Sequence, residues 1–86
     1  MISVDAIDGR TYRVTVRQAR TTVHEVTVDP EVKERLAPGL PTEQLLRASF
    51  QFLLEREPNT AILKRFELPL IGRYFPEFES EIIRRA

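Results

Sequence analysis

Two periodicities divide the chain. Up to about residue 28, apolar and polar positions alternate, as Ile2 and Val4 do with Ser3, and a period of two is typical of β-strands. Across residues 29–86, apolar positions recur three or four apart between prolines, which predicts helices. We therefore expect an α+β fold: an N-terminal antiparallel hairpin or three-stranded meander, then one long core helix and several short helices.

The first hairpin turns around the Asp8-Gly9 pair. A two-residue loop at that pair would put the apolar residues of the two strands on opposite faces, which a one-sided core does not tolerate. A three-residue loop, Ile7-Asp8-Gly9, instead puts Val4 opposite Tyr12. Gly9 then takes the left-handed position of a bulge, which glycine accepts without strain. We expect the three-residue loop.

A third strand is expected over residues 21–28. Val26 and Val28 are in phase with the core face, whereas Val23 is out of phase, which indicates either a bulge or a strand with two apolar faces. If this strand returns through a three-residue loop, His24 lies opposite Val14. We then interpret His24 as a partly buried cross-strand side chain whose nitrogen has a hydrogen-bond partner.

Helix starts follow at proline and capping residues. Asp29 is the expected N-cap of a short helix that ends near Ala37. The longest helix is expected over residues 42–57, and its apolar arc is wide enough to contact both the sheet and other helices. One polar stripe runs along it at every fourth position: Glu43, Arg47, Gln51 and Glu55.

Three shorter helical segments are expected after this core helix. Asn59 can cap a helix that ends near Phe66. A further turn runs from Pro69 to about Tyr74. The last helix opens at Pro76, with acidic residues early and arginines late, in the order that suits a helix dipole.

Composition limits the chemistry. The 86 residues predict a single domain, residues 1–86, with thirteen basic and thirteen acidic side chains in balance. Residues 1–43 carry six basic and seven acidic residues, and the remainder carries seven and six, so neither half has the positive field of a non-specific nucleic-acid binder. There is no cysteine, and His24 is the only histidine, so we expect neither a disulfide nor a zinc site.

No catalytic pattern is recognisable. His24 has no nucleophile near it in the sequence, and the three glycines, Gly9, Gly39 and Gly72, are too far apart for a phosphate-binding loop. Most carboxylates occupy helix starts or polar stripes, where capping and solvation explain them. We expect a protein that is not an enzyme and that needs no cofactor, metal or small-molecule ligand.

Two segments are candidates for binding. Tyr74, Phe75 and Phe78 stand beside Arg73 around a proline break, and we interpret these aromatic residues as core or subunit-interface anchors rather than as a platform for nucleobases. Arginines crowd the second strand and its flanks. These cations form either a phosphate-binding stripe or the solvated face of a sheet; the candidate nucleic-acid contacts are Arg13, Arg17 and Arg20.

Residues 21–57 resemble a ribbon-helix-helix DNA-binding unit, the module of many bacterial repressors and antitoxins. The matching order is the strand Thr21–Val28, the segment Asp29–Leu36, a turn at Pro38-Gly39-Leu40, and then Thr42–Ala48. The resemblance implies a strand that pairs with its mate from a second subunit and inserts its outward side chains into the major groove. The two strands that precede Thr21 would compete with the second subunit for the edge of this strand. The C-terminal run Ile62–Phe66 and Ile71–Phe78 is similar to small uncharacterised bacterial proteins, from which no function follows.

The sequence thus favours a non-enzymatic protein-interaction or regulatory module that forms a homodimer or binds a protein partner. The alternative is a sequence-specific DNA-binding repressor or antitoxin of the ribbon-helix-helix type. The N-terminus shows neither a basic stretch nor an apolar core of a signal peptide, and apolar runs are too short to span a membrane. We expect a cytoplasmic protein.

Overall fold

A four-stranded sheet forms one layer of the protein, and the helices cover one of its faces. The computed structural model describes residues 1–85. The strands are β1 (Ile2–Ala6), β2 (Thr11–Arg17), β3 (Thr21–Thr27) and β4 (Arg65–Glu67), in the spatial order β1-β2-β3-β4. The first three strands are antiparallel, and β4 adds in parallel to β3. The predicted α+β class and N-terminal meander are confirmed.

The register of the first hairpin differs from the prediction. Val4 lies opposite Val14, not opposite Tyr12. The loop begins after Ile7, whose N–H donates to the carbonyl oxygen of Thr11 at 2.9 Å. The register is shifted by two positions, an even number, so the apolar residues of β1 and β2 still share one face.

Local turn chemistry explains the shift. The carboxylate of Asp8 accepts hydrogen bonds from the backbone N–H groups of Arg10 and Thr11, both at 2.8 Å. This side-chain-to-backbone arrangement holds the turn one residue later than a glycine bulge would. Gly9 has no positive φ; Gly39, which follows the first helix, has φ of 78°.

The second hairpin has the predicted register. Val14 lies opposite His24, and Val26 and Val28 are buried. Pairing continues without a bulge from Thr21 to Thr27, so Val23 points to the outer face of the sheet, where it is 48% exposed. Of the two alternatives for Val23, the strand with apolar residues on both faces is the one observed.

The helices are α1 (Pro30–Leu36), α2 (Thr42–Leu54), α3 (Ile71–Tyr74) and α4 (Phe78–Arg85). As predicted, α2 is the core helix: it contacts β1, α1 and α4, and the four residues of its polar stripe are exposed. Asp29 precedes α1 but makes no side-chain cap; its carboxylate instead lies 3.6 Å from the guanidinium of Arg10.

The predicted helix from Asn59 to Phe66 is wrong. A single 3-10 turn covers Asn59–Ala61, and the chain then extends into β4. The side chain of Asn59 is buried and donates to the carbonyl oxygen of Arg20 at 2.8 Å, so it joins this segment to the second hairpin instead of capping a helix. Phe66 turns into the core between exposed Arg65 and Glu67, in the alternation of a strand.

The core lies between the inner face of the sheet and the helices. Its fully buried larger side chains include Phe50, Phe52, Phe78, Leu45 and Leu46. A second 3-10 turn, Leu68–Leu70, leads directly into α3. Across residues 1–85, no helix has the length and apolar character needed to cross a membrane.

Candidate functional site

The C-terminal aromatic residues occupy three different environments. Phe78 is fully buried, with its ring centroid 5.2 Å from that of Phe52. Phe75 is half-buried and meets the same Phe52 ring edge-on at 5.9 Å. Tyr74 is 64% exposed. Phe78 and Phe75 therefore pack, and Tyr74 is left at the surface.

Tyr74 borders an apolar groove of about 350 Å³. The groove lies between the C-terminal end of α2, the segment that leads into β4, and α3. Its floor is formed by the buried side chains of Leu53, Ile62, Phe66 and Ile71. Exposed or half-buried apolar groups line its walls: Leu63, Leu70, Tyr74, Phe75 and Ala61.

One wall of the groove is held by His24. This side chain is 1% exposed, and its Nδ1 lies 2.7 Å from the carbonyl oxygen of Leu63. A carbonyl oxygen only accepts, so Nδ1 carries the proton, and Nε2 lies 2.9 Å from the hydroxyl oxygen of Thr22. The backbone at Leu63 is thereby fixed while its side chain, 45% exposed, is left facing the groove.

The C-terminal end of α2, which contributes Leu53 to the groove, is joined to α4 and to the residue before it. The Arg56 guanidinium stacks over the Phe52 ring, 3.6 Å from its centroid, and Arg56 Nε lies 3.1 Å from a carboxylate oxygen of Glu77. The pKa of Glu77 is lowered, first by its own backbone N–H and then by Arg56. Glu55 accepts a 2.6 Å hydrogen bond from Arg85, which lowers the pKa of that carboxyl. These contacts join α4 to the end of α2, beside the groove.

Glu57 is the charged side chain of the groove. It is half-buried at the end of α2, and within residues 1–85 no cationic side chain lies within 4.0 Å of its carboxylate. The neighbouring carboxylates Glu55 and Glu77 are both paired with arginines. The groove thus combines an apolar surface with one negative charge that has no counter-ion on this part of the chain.

The outer face of the sheet carries a row of alternating charges. The strand registers place Asp5, Arg13, Glu25 and Arg65 side by side across all four strands. Arg65 Nε lies 3.1 Å from a Glu25 carboxylate oxygen. Arg13 therefore has an acidic neighbour on each side, and opposite charges on adjacent strands stabilise a sheet.

The other two arginines considered for nucleic-acid binding lie nearer one end of the sheet. Arg17 donates to the hydroxyl of Ser3 at 3.1 Å, and Arg20 lies in the β2–β3 turn. A second depression of about 470 Å³ lies at this end, and its cationic lining residues are Arg20 and Lys64. The structure thus separates Arg13 from Arg20 instead of forming one basic stripe.

Chemically, the groove is suited to binding. No three His, Cys, Asp or Glu side chains among residues 1–85 come together in a group that could hold a metal ion. Neither Glu57 nor Leu63 was identifiable as a site residue from the sequence. The only signal was the apolar pair Ile62 and Leu63, within a segment that we interpreted as a helix. The chain matches no protein-family model, and no match was found among curated proteins or solved structures.

Proposed function

We propose that this protein is a non-catalytic protein-interaction module, and that the groove beside β4 accepts an apolar side chain from a partner segment. The observation that carries the proposal is the exposure of Leu63 and Tyr74, 45% and 64%, on the walls of a groove whose floor is apolar and buried. A preformed apolar site loses little conformational entropy on binding, and aromatic residues are frequent anchors of interfaces.

Glu57 specifies the chemistry of the partner. A carboxylate beside an apolar surface attracts a cation more strongly than a fully solvated carboxylate does, because the surrounding dielectric constant is lower. The preferred partner is therefore a peptide segment with one large apolar residue and a lysine or arginine close to it. The apolar residue would fill the groove, and the neighbouring lysine or arginine would reach Glu57.

Selection from a displayed library of short peptides tests this proposal. We expect enriched peptides that share an apolar anchor next to a cation. Leu63→Ser should weaken their binding about tenfold, the effect of truncating an interface anchor. Val23→Ser is the matched control, because Val23 is an equally exposed apolar residue on the outer face of the sheet. Selected peptides that bind Leu63→Ser as well as the unaltered protein would contradict the proposal.

The DNA-binding alternative has one observation in its favour, the cationic depression at Arg20 and Lys64. Two observations count against it. A ribbon requires a free strand edge for a second subunit, but β3 is paired with β2 on one side and with β4 on the other. Arg13 is flanked by Asp5 and Glu25, which a phosphate backbone would repel. Fluorescence anisotropy with short duplexes at low salt tests this alternative; salt-sensitive binding lost on Arg20→Ala would favour it.

A further inference from the structure

The exposed edge of β1 lies at the opposite side of the sheet from the groove. Met1 and Arg17 exchange two main-chain hydrogen bonds, with nitrogen-to-oxygen distances of 2.9 and 2.8 Å. Hydrogen-bonded and non-hydrogen-bonded pairs alternate along an antiparallel ladder. The backbone groups of Ile2, Val4 and Ala6 therefore point away from β2, toward the edge.

We propose that this edge is the docking site for a second copy of the chain, with the two β1 strands antiparallel about a twofold axis at Val4. In that register Val4 faces its own copy, and Ile2 faces Ala6 of the second copy. All three outward-pointing residues then find backbone partners, and the two sheets join into one. The apolar inner faces of both sheets remain on the same side, because residues 2, 4 and 6 meet one another.

The side chains of the outer face are self-complementary in this register. Met1 and Ile7, which are 81% and 44% exposed, lie at the two ends of β1, and the twofold axis places each against the other across the interface. Burial of exposed apolar groups favours such a contact. The protein has six exposed large apolar residues within residues 1–85, and these are the two that flank the edge.

The polar side chains between them are also matched. Ser3 of one copy lies opposite Asp5 of the other, and the reverse pair is related by the axis. Ser3 Oγ accepts a hydrogen bond from Arg17, so its own O–H is available to donate to a carboxylate. No like charges face one another directly, as they would if Asp5 met Asp5. A strand of unrelated sequence would lack this reciprocal arrangement.

One side chain already contacts the edge. A guanidinium nitrogen of Arg47 on α2 lies 2.5 Å from the carbonyl oxygen of Ile2. A carbonyl oxygen has two lone pairs, so this oxygen can accept from Arg47 and from the Ala6 N–H of the second copy at the same time. Arg47 therefore narrows access to one end of the edge without closing it.

Sedimentation equilibrium over micromolar to millimolar concentrations tests the proposal. We expect a monomer–dimer equilibrium in the unaltered protein. Ser3→Asp should weaken dimerisation about tenfold, because it creates two pairs of like charges directly opposite one another. The monomer should remain folded, since the new carboxylate lies beside Arg17. The exchanged variant, Ser3→Asp with Asp5→Ser, restores the complementarity and should dimerise again.

Three results would overturn the inference. They are a monomer at every concentration, a Ser3→Asp variant that dimerises as strongly as the unaltered protein, or an exchanged variant that fails to recover while its circular dichroism is unchanged. Val4→Pro gives an independent check, because proline removes an outward N–H that the twofold pairing needs and that the isolated edge does not. A folded Val4→Pro variant that still dimerises would also overturn it.

Discussion

The Nδ1 atom of His24 lies 2.7 Å from the carbonyl oxygen of Leu63, thirty-nine residues along the chain. This contact joins the middle of β3 to the segment that enters β4. Just beyond it, the N–H of Glu25 donates to the carbonyl oxygen of Lys64 at 2.7 Å and begins the parallel pairing of the two strands. The only histidine of the protein is thus a structural side chain that shapes one wall of the groove.

Replacement of His24 by leucine is expected to destabilise the protein by about 1–3 kcal/mol, the usual cost of leaving buried hydrogen-bond partners unsatisfied. Urea denaturation measures the change. We further expect faster amide hydrogen exchange at Glu25, because β4 loses its anchor. Val23→Thr, one position earlier on the outer face, should change the stability by no more than about 0.5 kcal/mol. Equal stability of the two variants would contradict the role of His24.

Phe78 and Tyr74 lie close together in the sequence, but we expect their replacement to have different effects, because one is buried and the other is exposed. Phe78 is fully buried against Phe52, so Phe78→Ala is expected to cost about 3–5 kcal/mol. Tyr74 is 64% exposed, so Tyr74→Ala should change the free energy of unfolding by about 0.5 kcal/mol or less while it weakens peptide binding. A large loss of stability in Tyr74→Ala would show that Tyr74 serves mainly the fold.

Two glycines should respond oppositely to alanine. Gly39 has φ of 78°, where a side chain is strained, so Gly39→Ala is expected to cost about 1 kcal/mol. Gly9 has no positive φ and has open space around its Cα, so Gly9→Ala should be neutral or stabilise by about 0.4–1 kcal/mol through the unfolded state. If Gly9→Ala were destabilised, that result would instead support the left-handed bulge at Gly9 that the sequence predicts. Thermal unfolding measures both.

The lowered pKa values of three carboxyl groups predict that the protein loses stability in acid. The pKa of Asp8 is lowered from 3.8 by the backbone N–H groups of Arg10 and Thr11, and the pKa values of Glu55 and Glu77 are lowered from 4.5. A carboxyl whose folded pKa lies below its unfolded pKa stabilises the fold above the unfolded value. That stabilisation is lost as the pH falls through the folded pKa. We expect the thermal unfolding midpoint to decline as the pH drops below the ordinary pKa values of these carboxyl groups.

The control for this acid effect is the combined variant Asp8→Asn, Glu55→Gln and Glu77→Gln. Its thermal midpoint should fall less steeply between neutral and acidic pH, because the three groups that titrate are gone. The same slope in both proteins would mean that other groups determine the acid sensitivity.

Periodicity predicted the elements that depend on a single amphipathic pattern. The meander, the pairing of Val14 with His24, and the core helix α2 all follow from apolar spacing, since each buries one continuous face. The first turn could not be placed the same way, because the Asp8 carboxylate, and not glycine geometry, holds it.

The strand β4 and the groove could not be predicted from local pattern. β4 is three residues long and exists because β3 and His24 hold it, so its stability comes from distant contacts. Glu57 could not be predicted as a site residue either, because its sequence neighbours are those of an ordinary helix end. Only the arrival of Leu63 and Tyr74 from later segments makes it part of an apolar groove.

Binding of small probes to the groove tests the central claim most directly. Hexylammonium, hexanol and hexanoate share one apolar chain and differ in charge, and two-dimensional ¹H–¹⁵N NMR locates their contacts. We predict shifts at Leu63, Ile71 and Tyr74, with the ammonium ion preferred over the carboxylate. Glu57→Gln should abolish that preference and keep hexanol binding. Shifts elsewhere, or a charge preference that survives Glu57→Gln, would contradict the assignment of this groove as the binding site.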